Sequence, residues 1–127
     1  MTSPGVVTIG AGQAAAVAAR ALREYGYQGR ITMVGRERHK PYERPPLSKA
    51  VLVTAEEPNL DVLTQEAWAL GDIDLLSSTE AVALDLSKRQ VRLAGRQVLS
   101  YDMCLIATGG EAKTLASAPV WHPHVHY

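Results

Sequence analysis

The chain has 127 residues, 46% of them hydrophobic and 20% charged, which suits one modest domain able to bury a core. Thirteen basic residues balance thirteen acidic ones, so the net charge is zero and no basic run marks a nucleic-acid or membrane-surface binder. A single cysteine, Cys104, excludes an internal disulfide and an internal CxxC redox pair, and points to a reducing, cytoplasmic setting.

Residues 1–5 carry no basic n-region, and the apolar stretch Val6–Ile9 is too short for a signal h-region, so neither leader nor membrane span is expected. Val6–Ile9 reads as a short buried strand that ends at Gly10. From 13 to 25, Ala14, Val17, Ala18, Ala21, Leu22 and Tyr25 recur at helical spacing and predict the core face of a helix. Arg20, Arg23 and Glu24 fall largely on its other side, and Gly26 and Gly29 punctuate its end. Ile31–Val34 is a second apolar strand, which completes a βαβ unit with parallel strands and a right-handed crossover.

Residues 36–47 read as a loop, because Pro41, Pro45 and Pro46 oppose regular structure. A short helix is expected over 48–53. Thr64 is placed to cap a helix over 65–70 that Gly71 stops, and Ile73–Leu76 is a strand. The pattern then changes to alternation: Val82, Leu84 and Leu86, then Val91 and Leu93, then Val98, with breaks at Ser87-Lys88 and Ala94-Gly95. That is the pattern of an antiparallel meander. Met103–Ile106 is a last apolar strand, running into Ala107-Thr108-Gly109-Gly110. In the tail, His122, His124 and His126 alternate, but Pro119 and Pro123 favour a linker and no metal site is assigned.

The turn Gly10-Ala11-Gly12-Gln13-Ala14-Ala15 joins strand to helix with the spacing GxGxxA. Gly10 permits the tight turn, Gly12 lets a pyrophosphate approach the backbone, and Ala15 lets the helix lie close to the strand. The first N–H groups of the helix, at Gln13, Ala14 and Ala15, would then face the anion. The competing reading is a Gly-rich turn kept small for packing alone. After the second strand, Glu37 is the acid positioned for ribose hydroxyls. Its neighbour Arg36 could instead favour a 2′-phosphate, or both could be solvated loop residues.

The stretch His39-Lys40-Pro41-Tyr42-Glu43-Arg44-Pro45-Pro46-Leu47-Ser48-Lys49 resembles the PYxRPPLSK signature of the FAD-dependent ferredoxin reductases. The order of features matches over nearly the whole chain: GxGxxA, the PPLSK loop, a Trp-containing helix, a meander, then a strand ending in ATGG. The resemblance implies an α/β fold. Its parts would be a Rossmann-like FAD-binding βαβ unit and an antiparallel β-meander, the first part of a glutathione-reductase-like FAD domain. It implies that the Gly10-to-Ala15 turn binds the FAD pyrophosphate, that Glu37 meets the adenosine ribose, and that Arg44 contacts the pyrophosphate region. Pro45, Pro46 and Lys49 would lie against the isoalloxazine, with Lys49 as the catalytic group at its reactive edge. Val82 would border the adenine, and Ala107, Thr108 and Gly109 would border the cofactor.

The chemistry of those residues is compatible. Arg44 offers a planar fork of donors suited to phosphate. Two prolines make a stiff wall for a flat ring, and Lys49 could polarise the edge where hydride arrives. The plain alternative is a Pro-rich surface loop with solvated cations. Two departures stand out: Arg36 takes a position often acidic in these reductases, and Glu111-Ala112-Lys113 replaces a Pro-Arg pair. Disulfide-reducing relatives need two nearby cysteines, and Cys104 inside an apolar strand reads as a buried structural thiol.

Residues 1–110 are thus expected to be the first part of an FAD-binding domain, with 111–127 a linker toward an NAD(P)H-binding domain that the chain lacks. The implied parent activity passes electrons from NAD(P)H through FAD to a ferredoxin, and the chain alone is expected to be truncated and inactive. Two other readings stay open. One is a non-catalytic nucleotide-binding module. The other is a stand-alone NAD(P)-binding domain, which leaves Arg44 to Lys49 unexplained.

Overall fold

The computed structural model describes residues 4–127. Four short strands, β1 (Val6–Ile9), β2 (Ile31–Val34), β3 (Ile73–Leu76) and β7 (Met103–Ile106), form one parallel sheet in the order β3-β2-β1-β7. Val6 lies opposite both Ile31 and Met103, and Ile9 opposite both Val34 and Ile106. Helix α1 (Gln13–Glu24) makes the crossover from β1 to β2. A separate antiparallel sheet holds β4 (Ala81–Asp85), β5 (Gln90–Leu93) and β6 (Val98–Ser100) in chain order.

Period-two alternation in the strands divides the core into two clusters. Val6, Ile31 and Met33 pack against Ala15, Ala16 and Ala19 of α1 and against Leu63. Val7 and Val34 point the other way, onto Val91 and Leu93 of the meander and Tyr101. A sheet covered on both faces selects mainly apolar residues at successive positions, and β1 and β2 are apolar except for the buried threonines Thr8 and Thr32.

The helix turns a different side to the sheet than its spacing predicts. Ala15, Ala16 and Ala19 are buried, while Ala14 and Val17 are exposed and Tyr25 is almost fully so, at 91%. With six alanines among twelve helical residues, small side chains occur on every side, and the larger Val17 and Tyr25 do not decide the orientation. Close approach to the strands favours the side that is alanine throughout. Arg23 also departs from the expected outward position. Its guanidinium donates to the carbonyls of Gly71, Tyr27, Gly29 and Asp72, which fastens the end of α1 to the end of the helix over 65–71 and to the approach of β2.

That helix, α3 (Gln65–Gly71), begins as expected, with the Thr64 hydroxyl accepting from the Ala67 N–H at 3.1 Å. Its stop is not Gly71, which is the last helical residue and buried; Asp72 takes the left-handed cap at φ 44°. The prolines of the 36–47 segment do not exclude structure throughout. Pro45–Ser48 forms a single 3-10 turn, because prolines at its first two positions lack only N–H groups that such a turn leaves free. Helix α2 (Ala50–Val53) follows directly.

In the meander, the alternation of Val82, Leu84 and Leu86 fails at two of its three positions. A bulge between Ala81 and Ala83 shifts the register, so Ala81 and Leu84 face the core while Val82 is exposed. Leu86 lies beyond the strand and is exposed. Cys104 is half-buried rather than buried, and what burial it has raises its thiol pKa. After β7 the described residues contain no further helix or strand. The three tail imidazoles therefore have no strand to share a face on; His122 and His124 pack their rings 5.8 Å apart in a turn. No helix among the described residues is long and apolar enough to cross a membrane.

Candidate functional site

Because the four strands are parallel, the loops leaving β1, β2 and β7 emerge together at one end of the sheet. This is the end at which open α/β sheets bind ligands. The turn from β1 into α1 lies in the middle, between the chain leaving β2 and the chain leaving β7. Both neighbours touch it. Gly10 has φ 111°, and a Cβ added there would overlap the Ala107 carbonyl, so this glycine serves both the turn and the close passage of β7. On the other side, a Cβ on Gly35 would stand 2.6 Å from the Ala11 methyl.

Gly12 is different. Its φ is −90°, open to any residue, and a Cβ there would meet nothing within 4 Å. Nothing in the chain itself requires a glycine at that position. The helix that starts after it carries no side-chain cap and no acid in its first turn. The Gln13, Ala14 and Ala15 N–H groups precede the first intrahelical acceptor pair, in which Ala16 donates to the Gly12 carbonyl at 3.0 Å. An uncapped helix end bearing partial positive charge, beside an open glycine, is suited to an anion.

The loop after β2 supplies acid and base. Glu37 accepts from the Tyr42 hydroxyl at 2.7 Å through one carboxylate oxygen and from the Arg44 guanidinium through the other. The Arg44 guanidinium also stands 5.6 Å from the centre of the Tyr42 ring. The bond to Glu37 raises the Tyr42 pKa above the ordinary phenol value, since the carboxylate favours the protonated partner. The Glu37 and Arg44 side chains remain 46% and 61% exposed, so this pair is accessible and exchangeable.

The two residues that depart from the reductase pattern meet each other. Arg36, after β2, donates to Glu111, after β7. The pair joins the loops on either side of the Gly10-Ala11-Gly12 turn. It pulls the Glu111 carboxyl below the ordinary range and pushes the Arg36 guanidinium up, chiefly through that hydrogen bond.

The remaining expected residues are distributed around this end. The Thr79 N–H donates to the Gly35 carbonyl at 2.8 Å and the Ser78 N–H to the Glu37 carbonyl at 2.9 Å, which ties the approach to β4 and Val82 to the post-β2 loop. Ala107, Thr108 and Gly109 continue from β7, with the Ala107 N–H on the Ile9 carbonyl at 2.8 Å. Pro45, Pro46 and Lys49 stand apart. Their segment is anchored through the Tyr42–Asp61 bridge and the Glu43 N–H on the Leu60 carbonyl. No hydrogen bond among the described residues joins 45–49 to the glycine turn. Lys49 is exposed, between the 3-10 turn and α2. Sequence reasoning gave Tyr42 and Glu111 no role at the site. Tyr42 sits inside the PYxRPPLSK match and Glu111 was visible only as a departure, so their partners required the fold.

Fold and turn define the class: an open parallel α/β unit of Rossmann type with an antiparallel meander on one face. Residues 4–126 match the family model described as pyridine nucleotide-disulphide oxidoreductase. The chain belongs to that family. It is 41% identical over 112 residues to the ferredoxin–NAD(+) reductase component of the biphenyl dioxygenase system of Paraburkholderia xenovorans, covering 87% of this chain and 27% of the relative. Putidaredoxin reductase of Pseudomonas putida is 38% identical over 114 residues, covering 89% of this chain and 27% of the relative. Among solved structures, the ferredoxin reductase of the CYP199A2 system of Rhodopseudomonas palustris superposes with a TM-score of 0.81 at 34% identity. The match covers 90% of this chain and 28% of that one. The covalent putidaredoxin reductase–putidaredoxin complex matches with a TM-score of 0.78 at 38% identity, over the same shares. The chain thus spans little more than a quarter of the length of these relatives.

Proposed function

We propose that this chain is the FAD-binding part of a cytoplasmic oxidoreductase that passes electrons from NAD(P)H through FAD to a ferredoxin. The observation that carries the nucleotide half of this reading is Gly12. It is a glycine with no internal reason to be one, at the uncapped start of α1 and at the carboxyl end of a parallel sheet. A ligand backbone pressed against the turn supplies the missing reason. The electron-transfer half rests on the relatives, whose names specify ferredoxin–NAD(+) reduction.

In this reading Gly10, Gly12, Gln13, Ala14 and Ala15 hold the pyrophosphate on the helix N–H groups. Glu37 takes the adenosine ribose hydroxyls and Arg44 turns its fork from Glu37 to phosphate. Val82 and the Ala107-Thr108-Gly109 turn line the edges. Pro45 and Pro46 wall the ring system. Lys49 is assigned to the reacting edge, where its ammonium would stabilise negative charge. FAD supplies the step from a hydride pair to single electrons. The test is a visible spectrum of the purified chain after FAD is added and the excess removed. Flavin bands that stay with the protein are expected. A folded, colourless protein would overturn the assignment.

A further inference from the structure

We propose that Glu111 determines specificity at the adenosine end of this site: by occupying the Arg36 guanidinium, it keeps the site from favouring a dinucleotide that bears a 2′-phosphate. The inference rests on the nucleotide-binding reading above and deepens it. Arg36 directly precedes Glu37, at the point after the second strand of a βαβ unit where the ribose 2′ position is read. A free arginine there would attract a 2′-phosphate, because its planar fork matches phosphate oxygens. In this protein one arm of that fork already donates to a carboxylate carried by the loop on the other side of the turn. Glu111 reaches it because β2 and β7 are both neighbours of β1, so the loops that leave them stand on opposite sides of the same turn. Glu37 and Glu80 add negative potential around Arg36, but the hydrogen bond belongs to Glu111. The carboxylate therefore stands in for the phosphate and neutralises the cation that would have selected it.

The pair is exposed on both sides, 62% for Arg36 and 73% for Glu111, so a phosphate dianion can compete for the fork. That limits the discrimination to about threefold, the scale of a solvent-exposed ion pair. The experiment titrates the 127-residue chain with ADP-ribose and with 2′-phospho-ADP-ribose in a calorimeter at low salt. Glu111→Gln is expected to tighten binding of the 2′-phosphorylated ligand about threefold relative to ADP-ribose. Adding Arg36→Gln to that variant is expected to abolish the gain. An unchanged ratio in Glu111→Gln, or a gain that survives in the double variant, overturns the proposal while leaving nucleotide binding in place. If neither ligand binds the parent chain, the nucleotide-binding reading itself fails and the specificity proposal falls with it.

Discussion

Gly10 and Gly12 stand two positions apart in one turn, yet they answer to different forces. Gly10 holds φ 111° under the Ala107 carbonyl, so Gly10→Ala should cost at least about 1–3 kcal/mol of stability, read as a lower denaturation midpoint. Gly12→Val should fold like the parent, because the backbone allows any residue and the space is empty. The same variant should lose FAD, because a branched Cβ blocks approach of the pyrophosphate. Retained FAD affinity in folded Gly12→Val would remove the phosphate assignment. Tyr42 offers a second check at this scale. Its pKa is raised in the folded state by the bond to Glu37, so that bond contributes stability below the ordinary tyrosine range and loses it as pH rises through the raised value. In an alkaline spectrophotometric titration, Tyr42→Phe should delete a phenol that ionises above the ordinary range, and Glu37→Ala should bring that phenol down. A titration curve that keeps its high-pH limb in both variants would mean the bond does not form in solution.

Among the elements, α1 and α3 are held by polar devices of different legibility. The Thr64 cap could be read from sequence, since a threonine before a helical run is a local signal that needs no partner elsewhere. Thr64→Ala should cost about 1 kcal/mol. The Arg23 fastening could not be read, because its acceptors are carbonyls of residues 27, 29, 71 and 72, brought together only by packing. Arg23→Met should cost about 2–3 kcal/mol, and Arg23→Lys should recover little of it, since an ammonium cannot reproduce the fork. Equal stability of the Lys variant and the parent, measured by urea unfolding, would contradict the geometric account. The Pro45-to-Lys49 segment is an element whose meaning lies in its ligand. Lys49→Ala, made in a full-length relative, should slow flavin reduction more than it weakens FAD binding. An unchanged reduction rate would take Lys49 out of the mechanism.

For the whole molecule, ligand binding and folding are linked. FAD that binds only the folded chain should raise its melting temperature, by a free energy of about 2.7 kcal/mol at a hundredfold excess over Kd. Gly12→Val should melt at the parent's ligand-free temperature and show no such rise. The two-sided core explains why the glycine turn is held firmly enough to matter. The sheet is clamped between α1 and the meander, and β1 is hydrogen-bonded on both edges, so the turn that leaves it has little freedom. Hydrogen bonds between Gly5 and Asp102 secure the far end of the same strand pair, with the Gly5 N–H donating to the Asp102 carboxylate at 2.9 Å.

The amino-acid sequence alone determined the strands, the helix after GxGxxA, the meander and the family, because these depend on local spacing and on short motifs whose chemistry is contiguous. Tertiary structure alone decided which side of α1 faces the sheet, since an alanine-rich helix has no unique apolar stripe. It also decided the bulge that turns Val82 outward, since register depends on the partner strand. The pairing of Arg36 with Glu111 belongs to the same class: 75 residues separate them, and only the parallel order β2-β1-β7 sets their loops on either side of one turn. Contacts between distant residues follow from the packing of whole elements, and a single sequence carries no local signal of them.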